Sequence, residues 1–519
     1  FFILTENITQ NNSKRIAKNT LLLYIRTFIT MAISLYTSRV ILEVLGINDF
    51  GIYNVVGGFV GMFALISATL TSSTQRFITY ELGKKDENHS QEIFSTAVLI
   101  HIIIALVIIV LAESVGVYFL NNQMNIPISR LTAANWVFQF SLITFVVNII
   151  SIPYNSTIIA HERMAAFAYI TLIESILKLL IVYLLILSTF DKLIIYGALM
   201  LLVSLAIRII YGVYCSKNFI ECKFKLVKER FYYKQILGFS GWNIIGSSSV
   251  VLTNYGINIL LNIFFGVAVN AARGITTQVD NALNQFVSNF VMALNPQITK
   301  SYASGNREYM MKLVMTGSRY SFYLLLIMVI PILFETEYIL ACWLKNTPKY
   351  TVIFVQLSLI YMLCQSLSNT LFTAMLATGN IRNYQIIVGG LALMAFPLSY
   401  GLFKMGFEPA YCYYATIFIS ILCLVVRLIM LHRIIGLSIR IFFKDVIVRV
   451  ILVSIFSLIS PYIIISFMTQ GLERFIILSL VSLVATCIFI FFSGMFKDER
   501  TFFITYIKNK FNKRYERKF

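Results

Sequence analysis

The sequence predicts an all-α polytopic membrane protein with about fourteen transmembrane helices. Of its 519 residues, 58% are hydrophobic and 13% are charged, whereas a soluble domain carries about 25% charged residues. The mean hydropathy is +0.81. Apolar runs of about 20 residues, the length that crosses roughly 30 Å of hydrocarbon as a helix, recur along the chain. A soluble core could not bury this much apolar surface.

The predicted spans form two sets of six and a final pair. A basic connector at 216–236 separates an N-terminal lobe at 1–215 from a C-terminal lobe at 237–433. Two further helices occupy 447–496, and a basic tail follows at 497–519. The spans are predicted at 19–42, 51–74, 93–114, 133–160, 165–188, 193–215, 237–264, 271–295, 317–335, 351–377, 385–404, 409–431, 447–468 and 472–496.

Most of the positively charged residues are predicted to lie on one side of the membrane. The formal net charge is +19, which by itself would also suit a nucleic-acid-binding protein. About 31 of the 42 lysine and arginine residues, however, fall on the side of the N-terminus, which is the positive-inside bias of membrane proteins. This predicts a multi-pass protein of the cytoplasmic membrane with both termini in the cytoplasm, in contact with anionic lipids and not with nucleic acid.

One short stretch from the first half returns in the second. LGINDFGIYN at 45–54 follows the first span, and FGVAVNAARG at 265–274 follows the seventh; both have glycine in second place, before a polar break. Three such matches, in order and at similar offsets, predict a duplicated six-helix unit whose copies share one orientation. The other two matches are ITYELG (78–83) with KSYASG (300–305), and AHERMAAF (160–167) with ATGNIRNY (377–384).

The helix pairs around the two breaks carry polar residues at helical spacing. Polar side chains in a membrane face other helices or water, not lipid. Spans 1, 2, 7 and 8 are therefore predicted to line a central cavity between the lobes. The predicted lining residues are Thr30, Ser34, Asn54, Asn243, Ser247, Asn254, Asn258, Thr277, Asn281 and Asn284.

Three arginines are candidate cations for an anionic substrate. Arg26 lies about two turns into span 1, where a guanidinium needs a partner and its planar fork suits phosphate; snorkelling to the headgroups is the alternative. Arg39 precedes Glu43 by four residues, so an i,i+4 ion pair explains it equally well. Arg273 opens span 8 and is either a cavity cation or an anchor at the outer interface.

Acidic residues inside the spans are candidates for ion coupling. Asp280, the deepest acid of span 8, could bind a proton or sodium ion. Glu174 and Lys178 are four residues apart in span 5, and they either exchange protons during transport or neutralise each other. Glu335 is predicted to lie solvated at the outer end of span 9.

Enzymatic chemistry finds no support in the sequence. The four histidines have no metal-ligand spacing, and the nucleophile-elbow, P-loop and dinucleotide-binding motifs do not occur. The predicted outer loops are short and leave no room for an extramembrane catalytic domain. We predict a non-enzyme with no metal and no cofactor, in which H⁺ or Na⁺ could serve as a coupling ion.

Residues 19–84 resemble the polysaccharide-exporter branch of the multidrug/oligosaccharidyl-lipid/polysaccharide (MOP) flippase superfamily. The resemblance consists of an arginine on span 1, L-G followed by F-G-x-Y, and a cationic T-x-R-F-like end to span 2; the arrangement of six, six and two spans extends it over the chain. The motif residues are Leu45, Gly46, Phe50, Gly51, Tyr53, Gln75, Arg76 and Phe77.

The resemblance implies a flippase for the O-antigen of lipopolysaccharide or for a capsule. Such a protein moves an undecaprenyl-pyrophosphate-linked oligosaccharide across the bacterial cytoplasmic membrane by alternating access of two lobes in a V shape, and it works beside polysaccharide polymerase and glycosyltransferase machinery. Arg26 and Arg273 match the cationic cavity of such proteins by location, and spans 13 and 14 match a groove for the lipid tail. Tyr53 aligns with Arg273, so the arginines are not a symmetric pair.

Three other classes of function are alternatives to the flippase. A cation-coupled multidrug or small-molecule efflux antiporter of the same superfamily would suit twelve spans better than fourteen. A membrane-embedded enzyme requires a large outer loop or an intramembrane His/Arg cluster. A non-catalytic scaffold does not explain polar faces on four matched helices. The sequence therefore favours the flippase, with the antiporter as the alternative.

Overall fold

A computed structural model describes the backbone of residues 2–61, 63–84, 87–122, 126–225, 227, 229–344, 347–501, 504 and 505. Side chains are described from residue 15 onward, apart from some positions at 35–64, 87–88 and 262–271. Throughout this described part of the chain the regular structure is helical, as the hydropathy pattern predicts, and it contains no strand.

Nineteen α-helices make up the described chain, and short 3₁₀ or π segments extend or join several of them. The α-helices are α1 (Phe2–Gly61), α2 (Ala64–Lys84), α3 (Glu87–Leu111), α4 (Val117–Asn122), α5 (Leu131–Ala160), α6 (Met164–Leu187), α7 (Lys192–Asn218), α8 (Arg230–Phe265), α9 (Val267–Ala303), α10 (Arg307–Phe334), α11 (Thr336–Trp343), α12 (Thr351–Ser366), α13 (Asn369–Thr378), α14 (Arg382–Leu393), α15 (Ala395–Lys404), α16 (Tyr411–Ile435), α17 (Ile439–Phe442), α18 (Val448–Phe467) and α19 (Leu472–Phe489). The short segments are Ala112–Gly116, Ile128–Arg130, Ile220–Cys222, Phe443–Ile447 and Ile490–Gly494.

Twelve helices in the described residues are long and apolar enough to cross a membrane. They coincide with twelve of the fourteen predicted spans; the other two predicted spans, 51–74 and 271–295, are the second members of the two matched helix pairs. Both of these lie in helical segments: 51–74 is divided between α1, which ends at Gly61, and α2, which begins at Ala64, and 271–295 lies in α9, where charged and amide residues lower the mean hydropathy. The polytopic all-α class is confirmed, and fourteen is an approximate count.

A single glycine breaks the helix at each of the two matched positions. Gly46 interrupts α1 with φ 76° and ψ 168°, and Gly266, with φ 83°, separates α8 from α9. A side chain with a Cβ is strained at such positive φ. The third match behaves in the same way, because Glu162 (φ 59°) and Gly379 (φ 79°) both adopt left-handed backbone at its third position. The first and third pairs of matched motifs therefore share backbone conformation as well as letters, whereas in the second pair Gly305 has positive φ and Gly83 lies inside α2.

Packing divides the chain into two compact units, and each is described by itself. The core of unit 1 is an apolar cluster that α1, α3, α5 and α7 share. In unit 2, α8, α9, α12 and α16 share a second cluster, and α18 packs on α19. The lobes at 1–215 and 237–433 stay a prediction. Unit 1 comprises Phe1–Val251, Ser288–Met310 and Thr373–Gly390; unit 2 comprises Leu252–Val287, Met311–Phe372 and Leu391–Phe519.

Within unit 1, the two copies of the second motif contact each other. The rings of Tyr80 and Tyr302 occupy the same motif position, and their centroids lie 6.4 Å apart. A Cβ at Gly83 would lie 2.8 Å from the Cβ of Ala303, so the ends of α2 and α9 pack closely. Contact between equivalent residues is expected where a pseudo-twofold axis relates two repeats.

Candidate functional site

Arg26 is a buried cation on α1 of unit 1. Arg26 is 8% exposed. Its Nη2 donates to Asn289 Oδ1 at 2.9 Å and to Thr27 Oγ1 at 3.2 Å. Asn289 Nδ2 in turn donates to Thr27 Oγ1 at 2.6 Å. The guanidinium carbon lies 5.0 Å from the centroid of the Phe167 ring. Helices α1, α6 and α9 thus enclose this guanidinium.

The partners of Arg26 are all uncharged. Among the described residues, no carboxylate oxygen lies within 4.0 Å of its guanidinium nitrogens, and its Nε is buried without an acceptor. Burying a charge without a counter-ion costs several kcal/mol. The aromatic face and the amide dipole offset part of this cost, so the site retains a positive charge that an anion could neutralise.

The other predicted lining residues of α1 are placed only in part. Thr30 is half-buried and donates to the carbonyl of Thr27 at 3.1 Å, whereas Ser34 is exposed. The side chains of Arg39 and Asn54 lie outside the described residues.

Asn243 on α8 has a structural partner. It is 3% exposed, and its Oδ1 accepts from Gln385 Nε2 at 3.0 Å. Gly246 makes room for this contact, since a Cβ there would lie 1.7 Å from Gln385 Oε1. This places Asn243 in the contact between α8 and α14, and its role in lining a cavity stays a prediction; Ser247, one turn along, is half-buried.

Arg273 and Asp280 lie on α9 in unit 2. Arg273 is 9% exposed, its guanidinium carbon is 5.8 Å from the Tyr413 ring centroid, and its Nη2 is 3.5 Å from both Asn254 oxygens. Asp280 Oδ1 is buried without a hydrogen-bond partner. Although both residues are described, they form no ion pair within 4.0 Å. The contacts of the Arg273 guanidinium are therefore with neutral groups, and one oxygen of Asp280 has no hydrogen-bond partner.

The polar face predicted for α8 and α9 is open in unit 2. Four of the predicted lining residues on these helices have accessible side chains, which suits water and not hydrocarbon. Asn258 is half-buried, and Thr277 donates to the carbonyl of Arg273 at 3.0 Å. The exposed residues are Asn254, Thr277, Asn281 and Asn284. That these residues line one cavity with those of unit 1 stays a prediction.

Glu174 and Lys178 form an ion pair on α6. Lys178 Nζ lies 2.6 Å from Glu174 Oε1, and the two side chains are 41% and 34% exposed. This i,i+4 geometry neutralises both charges on one helix. It favours the simpler of the two interpretations, and a role of the pair in ion coupling stays a prediction.

Glu335 is not solvated, which corrects the prediction for this residue. Its side chain is 0% exposed, and its Oε1 lies 2.6 Å from Arg474 Nε. Arg474 opens α19, a helix that sequence position does not connect with α10. Sequence reasoning placed Glu335 at a helix end but could not identify the cation that covers it.

Two further charge clusters of unit 1 were missed from sequence. The buried carboxylate of Glu162 accepts from Gln297 at 2.5 Å and pairs with Lys300 at 3.0 Å and Arg15 at 2.9 Å. The available signal was that Glu162 and Lys300 both lie in the matched motifs.

The second cluster lies before α7, where Arg130 bridges Asp49 and Asp191. Asp191 caps α7 by accepting from the N–H groups of Leu193 and Ile194. Burial alone would raise the pKa of the Asp191 carboxyl, but the hydrogen bond from Arg130 and those from the backbone outweigh it and lower the pKa. In the described residues, no group of histidine, cysteine and carboxylate side chains could hold a metal ion.

The fold has close counterparts among solved structures of MOP-superfamily transporters. One is an outward-facing conformation of a multidrug resistance MATE family transporter, with a TM-score of 0.71, 12% identity, and coverage of 82% of this chain and 96% of that one. A MATE structure in a bent conformation has a TM-score of 0.72 at 12% identity and the same coverage. A MOP-superfamily transporter from Pyrococcus furiosus, described by a reverse polarity of its binding pocket, has a TM-score of 0.66 at 12% identity, with 81% and 96% coverage.

Residues 16–302 match the family described as "Polysaccharide biosynthesis protein". This match covers more than half of the chain and contains Arg26 and the motifs at 45–54 and 265–274. No curated protein sequence matches. A multi-pass membrane protein with the fold of the MOP-superfamily transporters, this chain belongs to the polysaccharide biosynthesis protein family.

Proposed function

We propose that this protein is a flippase that moves a pyrophosphate-linked, lipid-anchored oligosaccharide, such as an O-antigen or capsule repeat unit, across the bacterial cytoplasmic membrane. The family match and the transporter fold support a transporter that serves polysaccharide synthesis. The positive-inside bias supports cytoplasmic termini. Polysaccharide polymerase and glycosyltransferases would then be its partners in the pathway.

The observation that carries the proposal is the buried guanidinium of Arg26 with its uncharged partners. A guanidinium already paired with a carboxylate would have to break that pair before binding an anion. Arg26 would exchange only weaker hydrogen bonds to Asn289 and Thr27 for charge-assisted bonds to phosphate oxygens. The site is thus suited to an anionic headgroup and repels a cationic drug.

The second candidate function is a cation-coupled efflux antiporter, which Asp280 favours. A buried carboxylate oxygen without a donor is suited to a proton or a cation. The same residue could also couple ion flow to flipping, so Asp280 alone does not choose the substrate. Arg26 lies in unit 1 and Asp280 in unit 2. A transport assay with both classes of substrate distinguishes the two functions.

The test uses the purified full chain in liposomes. A fluorescent prenyl-pyrophosphate oligosaccharide is reconstituted on one leaflet, and its arrival on the other is followed with a membrane-impermeant quencher; a cationic dye is assayed in parallel. We expect transfer of the glycolipid and none of the dye, and loss of transfer in Arg26→Gln. Transport of the dye without the glycolipid would establish the antiporter instead.

Ion coupling is tested in the same vesicles under an imposed H⁺ or Na⁺ gradient. If Asp280 carries the coupling ion, one gradient accelerates transfer by the wild type, and Asp280→Asn abolishes that acceleration while it leaves gradient-free transfer in place. An equal rate with either gradient and with neither would remove Asp280 from the cycle.

A further inference from the structure

Unit 1 contains a cavity of about 760 Å³ that does not include Arg26. The end of α2, the beginning of α8 and the turn between α13 and α14 form its walls. These segments lie far apart in the sequence. They belong to the helix ends where cationic residues collect, which the positive-inside bias assigns to the cytoplasmic side.

Three cations line this cavity, against a single carboxylate. The cations are Arg76, Lys84 and Arg382, and the carboxylate is Glu81. Lys84 Nζ is 3.9 Å from Glu81 Oε1, and the Lys84 side chain is 46% exposed, so this pair is weak. With histidine neutral, the lining carries two positive charges in excess.

Aromatic rings and backbone carbonyls hold the cations in place. Arg76 donates from Nε to the carbonyl of Leu376 at 3.1 Å and from Nη2 to that of Ala377 at 3.0 Å. The Arg382 guanidinium carbon is 5.2 Å from the Trp242 ring centroid, and Lys84 Nζ is 4.6 Å from that of Tyr80. In the described part of the chain, neither arginine has a carboxylate within 4.0 Å. Their charge is therefore positioned without being neutralised.

Gly379 is required for the position of Arg76. Its φ is +79°, and a Cβ built there would lie 2.5 Å from Arg76 Nη2. The turn between α13 and α14 thus combines a glycine-only backbone with a space that the guanidinium fills. Only glycine meets both conditions without strain, so the turn fixes the place of the guanidinium.

We propose that this cavity, the cytoplasmic pocket, binds a phosphate group carried by a lipid or glycolipid headgroup. Two arginines and a lysine around one cavity match the charge and hydrogen-bonding capacity of a phosphate or pyrophosphate. The surrounding aromatic rings give the attached organic part an amphipathic wall at the level of the headgroups. The proposal rests on the membrane location of the protein and does not require that Arg26 binds the transported substrate.

Trp242 supplies a reporter within the pocket. The chain has three tryptophans, so Trp136→Phe and Trp343→Phe leave Trp242 as the sole indole. An anion that draws Arg382 from its stacked position changes the fluorescence of this ring. The purified full chain in neutral detergent is titrated with inorganic pyrophosphate, with phosphatidylglycerol in mixed micelles, and with zwitterionic phosphatidylcholine as the control lipid.

We expect a saturable response to pyrophosphate, phosphatidylglycerol or both, and none to phosphatidylcholine. A response to phosphatidylglycerol alone identifies a membrane lipid as the source of the phosphate. A response to pyrophosphate alone identifies the glycolipid carrier group, and a response to both shows that the pocket recognises the phosphate itself. The absence of a saturable response to either anion overturns the proposal.

Substitutions at the lining cations test whether the anion that changes the Trp242 fluorescence binds in the pocket. Lys84→Gln leaves the stack of Arg382 on Trp242 intact and should weaken the apparent affinity about tenfold, the effect of losing about 1.4 kcal/mol. Arg382→Gln, measured by calorimetry because it removes the reporter contact, should weaken it at least as much. Arg433→Gln, an exposed cation elsewhere, should have no effect. Equal affinity in all three variants overturns the proposal.

Arg26→Gln separates this proposal from the proposed function. It should abolish transfer of the glycolipid while the Trp242 response persists. If glycolipid transfer fails in the wild type but the pocket still binds the anion, only the flippase assignment is lost. If transfer proceeds and the pocket does not respond, only the pocket assignment is lost.

Discussion

Replacing Arg26 with glutamine removes a charge that no carboxylate within the described residues neutralises. We expect this substitution to change substrate binding strongly and stability little. The variant loses the bond to Asn289 at 2.9 Å and the contact with Phe167 at 5.0 Å, worth about 1.5–3 kcal/mol and about 0.5–1 kcal/mol. It also removes the desolvation cost of a buried charge, which is several kcal/mol. Asn289 keeps its bond to Thr27. The free energy of unfolding should therefore change by no more than about 1 kcal/mol.

The affinity for substrate should change much more. A hydrogen bond to a charged group contributes about 1.5–3 kcal/mol, so loss of one guanidinium–phosphate contact weakens binding about 10- to 100-fold. Arg26→Lys keeps the charge but not the planar fork, and it should lie between the wild type and Arg26→Gln.

The assay measures binding of a prenyl-pyrophosphate glycolipid to the purified variants, together with their thermal unfolding. Arg208→Gln is the matched control, because Arg208 is a half-buried arginine of the same unit that stacks on Tyr154 at 3.9 Å. It changes the net charge equally and should leave glycolipid affinity unaltered. Unchanged affinity in Arg26→Gln, combined with a loss of stability above about 2 kcal/mol, would show that Arg26 is structural and refute this reasoning.

Three further predictions concern stability, measured by chemical or thermal denaturation in detergent. Gly379→Ala should destabilise the protein by at least about 1.5 kcal/mol more than Gly305→Ala, since both positions have φ near +78° but only the first meets a neighbouring side chain; equal losses would contradict the close contact. Glu162→Gln should cost up to about 3–5 kcal/mol because it leaves two cations without their buried partner, whereas Glu113→Gln at an exposed position should cost almost nothing. Folding lowers the pKa of Asp191, so its contribution is complete above the unfolded-state value near 4 and disappears as the pH falls further. The unfolding midpoints of wild type and Asp191→Asn should therefore converge below about pH 4, and a constant difference down to pH 2 would show that the ion pair and cap do not titrate.

Local sequence patterns were sufficient to predict that the protein is a helical membrane protein and where two of its helices are interrupted. Hydropathy summed over about 20 residues decides whether a helix can cross a bilayer, and this sum depends on no distant contact. Twelve predicted spans were recovered in this way. Of the other two, 271–295 is diluted by polar residues, and 51–74 is divided between α1 and α2. The same holds for Gly46 and Gly266, which have the same place in the two motifs and whose positive φ is a property of one residue.

Hydrogen bonds and ion pairs between residues far apart in the sequence could not be predicted from local patterns. The sequence singled out Arg26 as needing a partner, but Asn289 is 263 residues away, and nothing in either segment specifies the other. Asn243 was predicted to line a cavity because it lies in a polar stripe, but its hydrogen bond from Gln385 could not be predicted from that stripe. Glu335 was assigned to solvent for lack of a visible cation, and Arg474 covers it. Periodicity indicates which face of a helix is polar, but not what lies opposite that face.

The sequence by itself determined that this protein is a polytopic helical membrane protein, because backbone groups in a bilayer must be satisfied within each helix and this requirement is local; the internal duplication stays a prediction. Only the tertiary structure decided which charges are neutralised and which are kept available. Ion pairing acts over a few ångströms between segments that are hundreds of residues apart, so the uncharged surroundings of Arg26 and the cations of the cytoplasmic pocket arise from helix packing and from no single stretch of sequence.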